Sequence, residues 1–221
     1  RNAFAERWGY PGQHRELIQI AARKWTLGGD WREGETFQAF IRPRLNSKLS
    51  PYIKKLTGIS QARVDSAKNA KTVLARFAKF ADGSFCYSNG QDINVIAETA
   101  GLQRFVLPFS PKYFGNLRPW IYDELQALVG KFDRKKYPSG ALYKLLRLKL
   151  PTSSVHNAMH DVDSLCATLE ALDKRGHAIK KLWNACKLKR GKKSFLALKR
   201  FIFCFTQTQR ADARLLGLSL E

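Results

Sequence analysis

Residues 16–25, ELIQIAARKW, are apolar for most of their length and end on a polar tail, the pattern of a central strand. TFQAFIRP (36–43) alternates apolar and polar side chains and stops at a proline, as a neighbouring strand does. GGD at 28–30 predicts a hairpin loop between them. A helix is expected from about Ser66 to Ala81, with Val73, Leu74, Phe77 and Phe80 sharing one face. SFCYS (84–88), between Gly83 and Gly90, reads as a buried strand, and DINVIAETAG (92–101) as a helix closed by its glycine. NLRPWIYDELQALVG (116–130) is a further amphipathic helix closed by glycine, and YPSGALYKLLRLKL (137–150) a turn followed by a short helix. A last helix runs from about residue 156 to Gly176. Strands first, then strand and helix in alternation, predict an α/β fold with a mixed sheet.

Composition changes after Gly176. Residues 177–221 hold eleven Lys/Arg against two acids, with KLKRGKK (187–193) the densest part. FLALKRFIFCF (195–205) is apolar enough to pack, which predicts a docked helical extension at 177–221 behind a domain at 1–176. The whole chain carries 39 Lys+Arg against 18 Asp+Glu, a formal +21. That surplus, interleaved with aromatic residues, points to nucleic acid ahead of an anionic membrane surface. No apolar run approaches the roughly 20 residues that span a bilayer. Cys86, Cys166, Cys186 and Cys204 form no CxxC pair, so a zinc site or disulfide framework is not expected. Reduced thiols and a cytoplasmic location are the simple expectation. The opening residues lack an apolar signal core, and Met159 is the only methionine, as in a processed or trimmed chain.

Three residues carry candidate chemistry. Asp92 follows a buried strand and opens a helix, where on its own it reads as an N-cap. Asp161 reads as a surface acid and His156 as a polar residue at a helix start. On a regular helix residues five apart point about 140° away from each other. His156 and Asp161 therefore converge only if His156 stands before the helix, and Pro151 to Ser154 supply a loop that puts it there.

HNAMHD (156–161) matches an H-x4-D motif; YSNGQDINVI (87–96) sets an aspartate behind an Asn-Gly strand end; LTGISQARVDSA (56–67) lies between strand and aspartate. In that order and spacing, over about residues 1–175, these stretches resemble the DEDDh 3′–5′ exonucleases, the DnaQ-like family with an RNase H-like fold. The resemblance implies a mixed five-stranded sheet flanked by helices. Its first motif, Asp-x-Glu on a strand ahead of ELIQIA, is missing. Ala3-Phe4-Ala5 keeps that spacing around an apolar centre, so Ala3 and Ala5 stand where Asp and Glu belong. Ala5/Arg7 and a lone acid at Glu6 are the competing registers. An engineered loss and a natural one leave the same sequence.

The resemblance further implies hydrolysis of nucleic acid from free 3′ ends to mononucleotides, single strands preferred, with two Mg²⁺ or Mn²⁺ ions. Positions 3 and 5, Asp92 and Asp161 would hold the metals, with His156 as general base. Carboxylates suit Mg²⁺, and an imidazole titrating near pH 6.5 suits proton transfer at neutral pH. Lacking half its carboxylates, the chain is expected to bind nucleic acid and cut it poorly. Binding candidates are Arg134, Lys135, Lys136, Lys187, Lys189, Arg190, Lys192 and Lys193 for phosphates, and Phe4, between the two alanines, for stacking on a base. Trp8, Tyr87 and Trp120 are weaker stacking candidates, and His160 is expected beside the site or exposed. A non-catalytic nucleic-acid-binding protein on the same fold, and a structural or ribosome-associated basic protein, are the alternatives.

Overall fold

A computed structural model of the chain describes residues 13–26, 30–45, 47–150, 157–176 and 200–212. In chain order its elements are β1 (Gln13–Thr26), β2 (Thr36–Arg42), α1 (Pro51–Thr57), α2 (Gln61–Asp65), β3 (Lys68–Asn69), α3 (Ala70–Ala81) and β4 (Phe85–Ser88). There follow α4 (Asp92–Leu102), β5 (Phe114–Asn116), α5 (Arg118–Val129), α6 (Leu142–Leu145), α7 (Ala158–Lys174) and β6 (Arg200–Asp212). The strands form one sheet in the order β3-β2-β1-β6-β4-β5. β1 is antiparallel to β2 and β6, while β6–β4, β4–β5 and β2–β3 are parallel, so the sheet is mixed as expected.

The sheet has six strands where five were expected, because residues 200–212, assigned to a helical extension, form a strand between β1 and β4. The run RFIFCFTQTQ is rich in β-branched and aromatic residues, and a sheet with an open central slot rewards that composition with ladder hydrogen bonds on both edges. Residues 195–199 of the expected helix, and Gly28 and Gly29 of the expected hairpin loop, lie outside the described residues. The helix expected from Ser66 begins at Ala70, since Asn69 caps it by accepting from Thr72 N at 2.9 Å and Lys68–Asn69 pair with β2. Residues 51–57 form α1 between the Ser50 cap and Gly58, whose left-handed φ of 70° favours glycine. Gly101 does not close α4: the helix runs through Leu102, and the left-handed residue is Arg104 at φ 55°.

A bulge in β1 sorts the core. Its pairing with β6 passes from Leu17↔Thr208 to Gln19↔Gln207, leaving Ile18 as an extra residue. One inserted residue flips the alternation, so Leu17 joins Ile20 and Ala22 against α3 and α4, while Ala21 and Trp25 face α5 and α7. Ile18 turns to a third cluster with Ile53, Ile59 and Val64 beneath α1 and α2. β4 serves both main faces in the same way, Cys86 on one and Phe85 and Tyr87 on the other. The sheet is thus covered on both sides.

Candidate active site

Beyond the end of β4 the chain turns sharply, Ser88 Oγ donating to Gly90 O at 3.0 Å, and re-enters as α4. Asp92 is the first helical residue and is 8% exposed. Gln91 holds the cap position, so Asp92 is not the N-cap that its sequence position suggested. On the other side of the site α7 starts from Asn157, whose side chain accepts from Met159 N at 3.0 Å. Gln19 Oε1 of β1 accepts from Ala158 N at 3.2 Å, tying this helix start to the central strand. Asp161 stands in the first turn of α7 and is 3% exposed. Both carboxylates therefore sit at the positive end of a helix macrodipole, which favours a negative charge.

A 3-10 turn, Ser139–Ala141, links the two helix starts. Asn89 Nδ2 donates to Ser139 Oγ at 2.9 Å from the α4 side. From the α7 side Ser164 Oγ donates to Ser139 O at 2.6 Å, and His160 Nε2 meets Gly140 O at 3.0 Å. A carbonyl only accepts, so His160 carries its proton on Nε2. A Cβ on Gly140 would collide with Asp161 Oδ1 and come within 3.3 Å of the His160 ring. The glycine is thus required by close approach: the backbone of the turn lies directly on the Asp161 carboxylate.

Asp161 lies against Gly140 of this turn, and Asp92 opens α4 three residues after Asn89, whose side chain donates to Ser139 of the same turn. His156, which precedes Asn157 in the sequence, lies outside the described residues. Ala3, Phe4, Ala5, Trp8, Lys187, Lys189, Arg190, Lys192 and Lys193 also lie outside them. Arg134, Lys135 and Lys136 are exposed on the loop leading into the turn, Arg134 standing 5.2 Å over the Tyr122 ring and 3.7 Å from Asp123. Tyr87 is a core residue, 2% exposed, and offers no face to a base, while Trp120 is half-buried against the same cluster. His160 is buried, edge-on to Tyr143, and acts as a clamp on the turn. Sequence reasoning missed Gln19, Asn89, Ser139, Gly140 and Ser164; a Ser-Gly pair in YPSGA was the sole local signal.

The chain matches the profile of one protein family, described as exonuclease, over residues 6–169. It belongs to this family, the DEDDh or DnaQ-like exonucleases. Within it, the domain is 36% identical over 161 residues to the PolC-type DNA polymerase III of Lactococcus lactis, covering 72% of this chain and 9% of that polymerase. The corresponding polymerase of Streptococcus pyogenes is 29% identical over the same length. The chain thus spans about a tenth of the length of the curated relatives it matches. Among solved structures it resembles a full-length 3′-exonuclease at a TM-score of 0.58 and 21% identity, covering 73% of each chain. Cell-death related nuclease 4 aligns at 0.58 and 16% identity over 75% of this chain and 64% of its own. The nuclease domain of 3′hExo, a DEDDh family member bound to rAMP, aligns at 0.52 and 20% identity over 64% and 73%. These likenesses establish the RNase H-like fold.

Members of the family use divalent metal ions, and the donors present here fit one. Asp92 and Asp161, at two helix starts, are hard oxygen donors of the kind such an ion prefers. Asn89 Oδ1 is buried at the same turn and has no hydrogen-bond partner among the described residues, which leaves it free to face a cation or an ordered water. No group of three or more His, Cys, Asp or Glu side chains gathers among the described residues, positions 3, 5 and 156 being outside them. No helix among the described residues is long and apolar enough to cross a membrane.

Proposed function

We propose that the chain is the nuclease domain of a 3′–5′ exonuclease, present in a form that holds nucleic acid and cuts it poorly. The observation that supports this reading is that Asp92 and Asp161, in the order of the family's motifs, are both buried at helix starts in a member of the exonuclease family. In the active form, Asp at 3 and Glu at 5 would join Asp92 and Asp161 in holding two Mg²⁺ or Mn²⁺ ions. Bound divalent cations supply charge neutralisation at the phosphate oxygens and at the departing 3′ oxygen. Asp92 orients the water that attacks the terminal phosphodiester. His156 takes the proton of that water on its imidazole, the role that an imidazole titrating near neutral pH suits. Arg134, Lys135 and Lys136 attract the backbone of the approaching strand through phosphate charge, without reading sequence. The PolC-type relatives make DNA the first substrate to try.

Hydrolysis of a 5′-labelled oligonucleotide with a free 3′ end tests this, in Mg²⁺ and in Mn²⁺, for the chain as it stands and for Ala3→Asp/Ala5→Glu. A ladder shortening from the 3′ end in the restored protein alone is the expected result. An inert restored protein at high enzyme concentration overturns the disabled-nuclease reading.

A second reading, a pseudo-nuclease that only binds, is favoured by one feature of the sheet. Both edges of β1 are taken, by β2 and by β6, so a strand carrying residues 3–5 beside β1 would have to displace β6. β6 itself has a single acid, Asp212, at its last position. Under this reading the restored protein binds the oligonucleotide tightly and yields no ladder.

A further inference from the structure

The other end of α4 opens onto a cavity of about 580 Å³ that the chemistry above does not use. Arg42 at the end of β2, Arg44 beyond it, Lys71 in the first turn of α3 and Arg104 after α4 line it, with Asn69 and Gln103. All four cations are exposed, and none forms an ion pair with a carboxylate among the described residues. No acid lines the cavity.

The arrangement is built rather than incidental. Glu16 is fully buried, accepting from Arg44 N at 2.7 Å, from Leu45 N at 3.3 Å and from Gln103 Nε2 at 2.7 Å. Arg44 Nη1 reaches Gln103 O at 3.4 Å, so the ends of β2 and α4 are fastened together. That fastening brings the cations of three separate elements around one space. The N-terminus of α3, a 12-residue helix, adds its dipole to the same charge. Arg104 holds a left-handed backbone, φ 55°, which glycine or asparagine would adopt at less cost.

We propose that this cavity is a second nucleic-acid subsite, holding backbone phosphates of the same strand whose 3′ end reaches Asp92 and Asp161. It rests on the proposed function for the direction of the strand, and on its own geometry for the binding. The cavity exceeds what one small anion fills, and four cations without an ion pair among the described residues match a run of phosphates. α4 connects the two sites: its 11 residues span about 16 Å at 1.5 Å each. A stacked strand advances about 3.4 Å per nucleotide, so the cavity takes phosphates roughly five nucleotides before the 3′ end. Strands shorter than that reach the active site alone.

The test is binding of 5′-fluorescein oligothymidylates of 3 to 12 nucleotides, by anisotropy in EDTA and over a range of salt, so that hydrolysis plays no part. The full chain is compared with Lys71→Gln/Arg104→Asn and with Lys54→Gln/Lys55→Gln, which removes the same charge from the exposed face of α1. In the natural protein affinity should step up at about five to six nucleotides. The cavity variant should lose that step and bind the long oligonucleotide roughly tenfold more weakly. Its salt slope should shallow by about 1.4, the release expected for two single-strand phosphate contacts. Its affinity for the 3-mer, and the α1 variant throughout, should stay unchanged. Equal losses in both variants, or no loss in the cavity variant, overturn the subsite. A length step that survives in a protein which never cuts, even when restored at 3 and 5, sinks the nuclease reading and leaves the subsite standing.

Discussion

Gly140→Ala puts the site's geometry to a direct test. The new methyl would overlap Asp161 Oδ1 and press on His160, so either the turn lifts or the carboxylate swings. If the turn lifts, the bonds from Ser164 Oγ to Ser139 O and from His160 Nε2 to Gly140 O are strained or lost. Each is worth about 1 kcal/mol net, and a buried partner left unmet adds up to as much again, for a total of about 2–4 kcal/mol. For a chain of this size that lowers the melting temperature by roughly 4–16 °C. If Asp161 holds a metal as proposed, displacing its support costs about 10- to 100-fold in metal affinity. Thermal melting of the natural chain and Mn²⁺ titration by calorimetry in the Ala3→Asp/Ala5→Glu background measure the two effects. Ser164→Ala is the companion: it removes one hydroxyl without adding bulk, should cost about 1 kcal/mol, and should leave Mn²⁺ affinity unchanged. A Gly140→Ala protein that melts within about 1 °C of the natural chain, with the same Mn²⁺ affinity, would refute the close approach and the role given to the turn.

Two further expectations concern titratable groups away from the turn. Burial pushes the Asp163 carboxyl above its ordinary range, and the pair with Arg23 at 2.9 Å offsets this only in part. The folded protein therefore takes up this proton at a higher pH than the unfolded chain, so the contribution to stability is complete below about pH 4 and is lost as pH rises through the folded value. Denaturant melts from pH 4 to 7 should show the natural chain losing stability relative to Asp163→Asn; a gain over that range would mean that the Arg23 pair outweighs burial. Burial also pushes the Cys86 thiol up to about 12 and Cys166 well above its usual value. Neither should react with iodoacetamide at pH 8 in the native protein, and both should in guanidinium, read by peptide mass spectrometry; native labelling at the rate of a free thiol would contradict the packing of both faces.

Much of the sheet was legible because its signals are local. β1, β2 and β4 follow from period and composition, and α5 ends at Gly130, φ 80°, where the glycine stands in the sequence. Other boundaries depended on partners far along the chain. Lys68–Asn69 left the helical run because β2 offered them an edge, and α4 passed Gly101 because the chain bends only at Arg104. Residues 200–212 misled most: an apolar, basic run suits a packed helix as well as a strand, and only a vacant place between β1 and β4 decides between them.

The same division runs through the site. The sequence by itself determined the chemistry available: two aspartates in motif order, a histidine ahead of a helix, an overall charge of +21, and alanines at 3 and 5. Side-chain type and spacing carry that information, since each motif lies within a few residues. Which groups meet was decided by tertiary structure alone. Gly140 is required by a carboxylate 21 residues away, and Glu16 fastens Gln103, 87 residues on, beside the exit of β2. Such contacts arise where chain ends and helix starts are brought together by burial of the two sheet faces, and no local pattern records them.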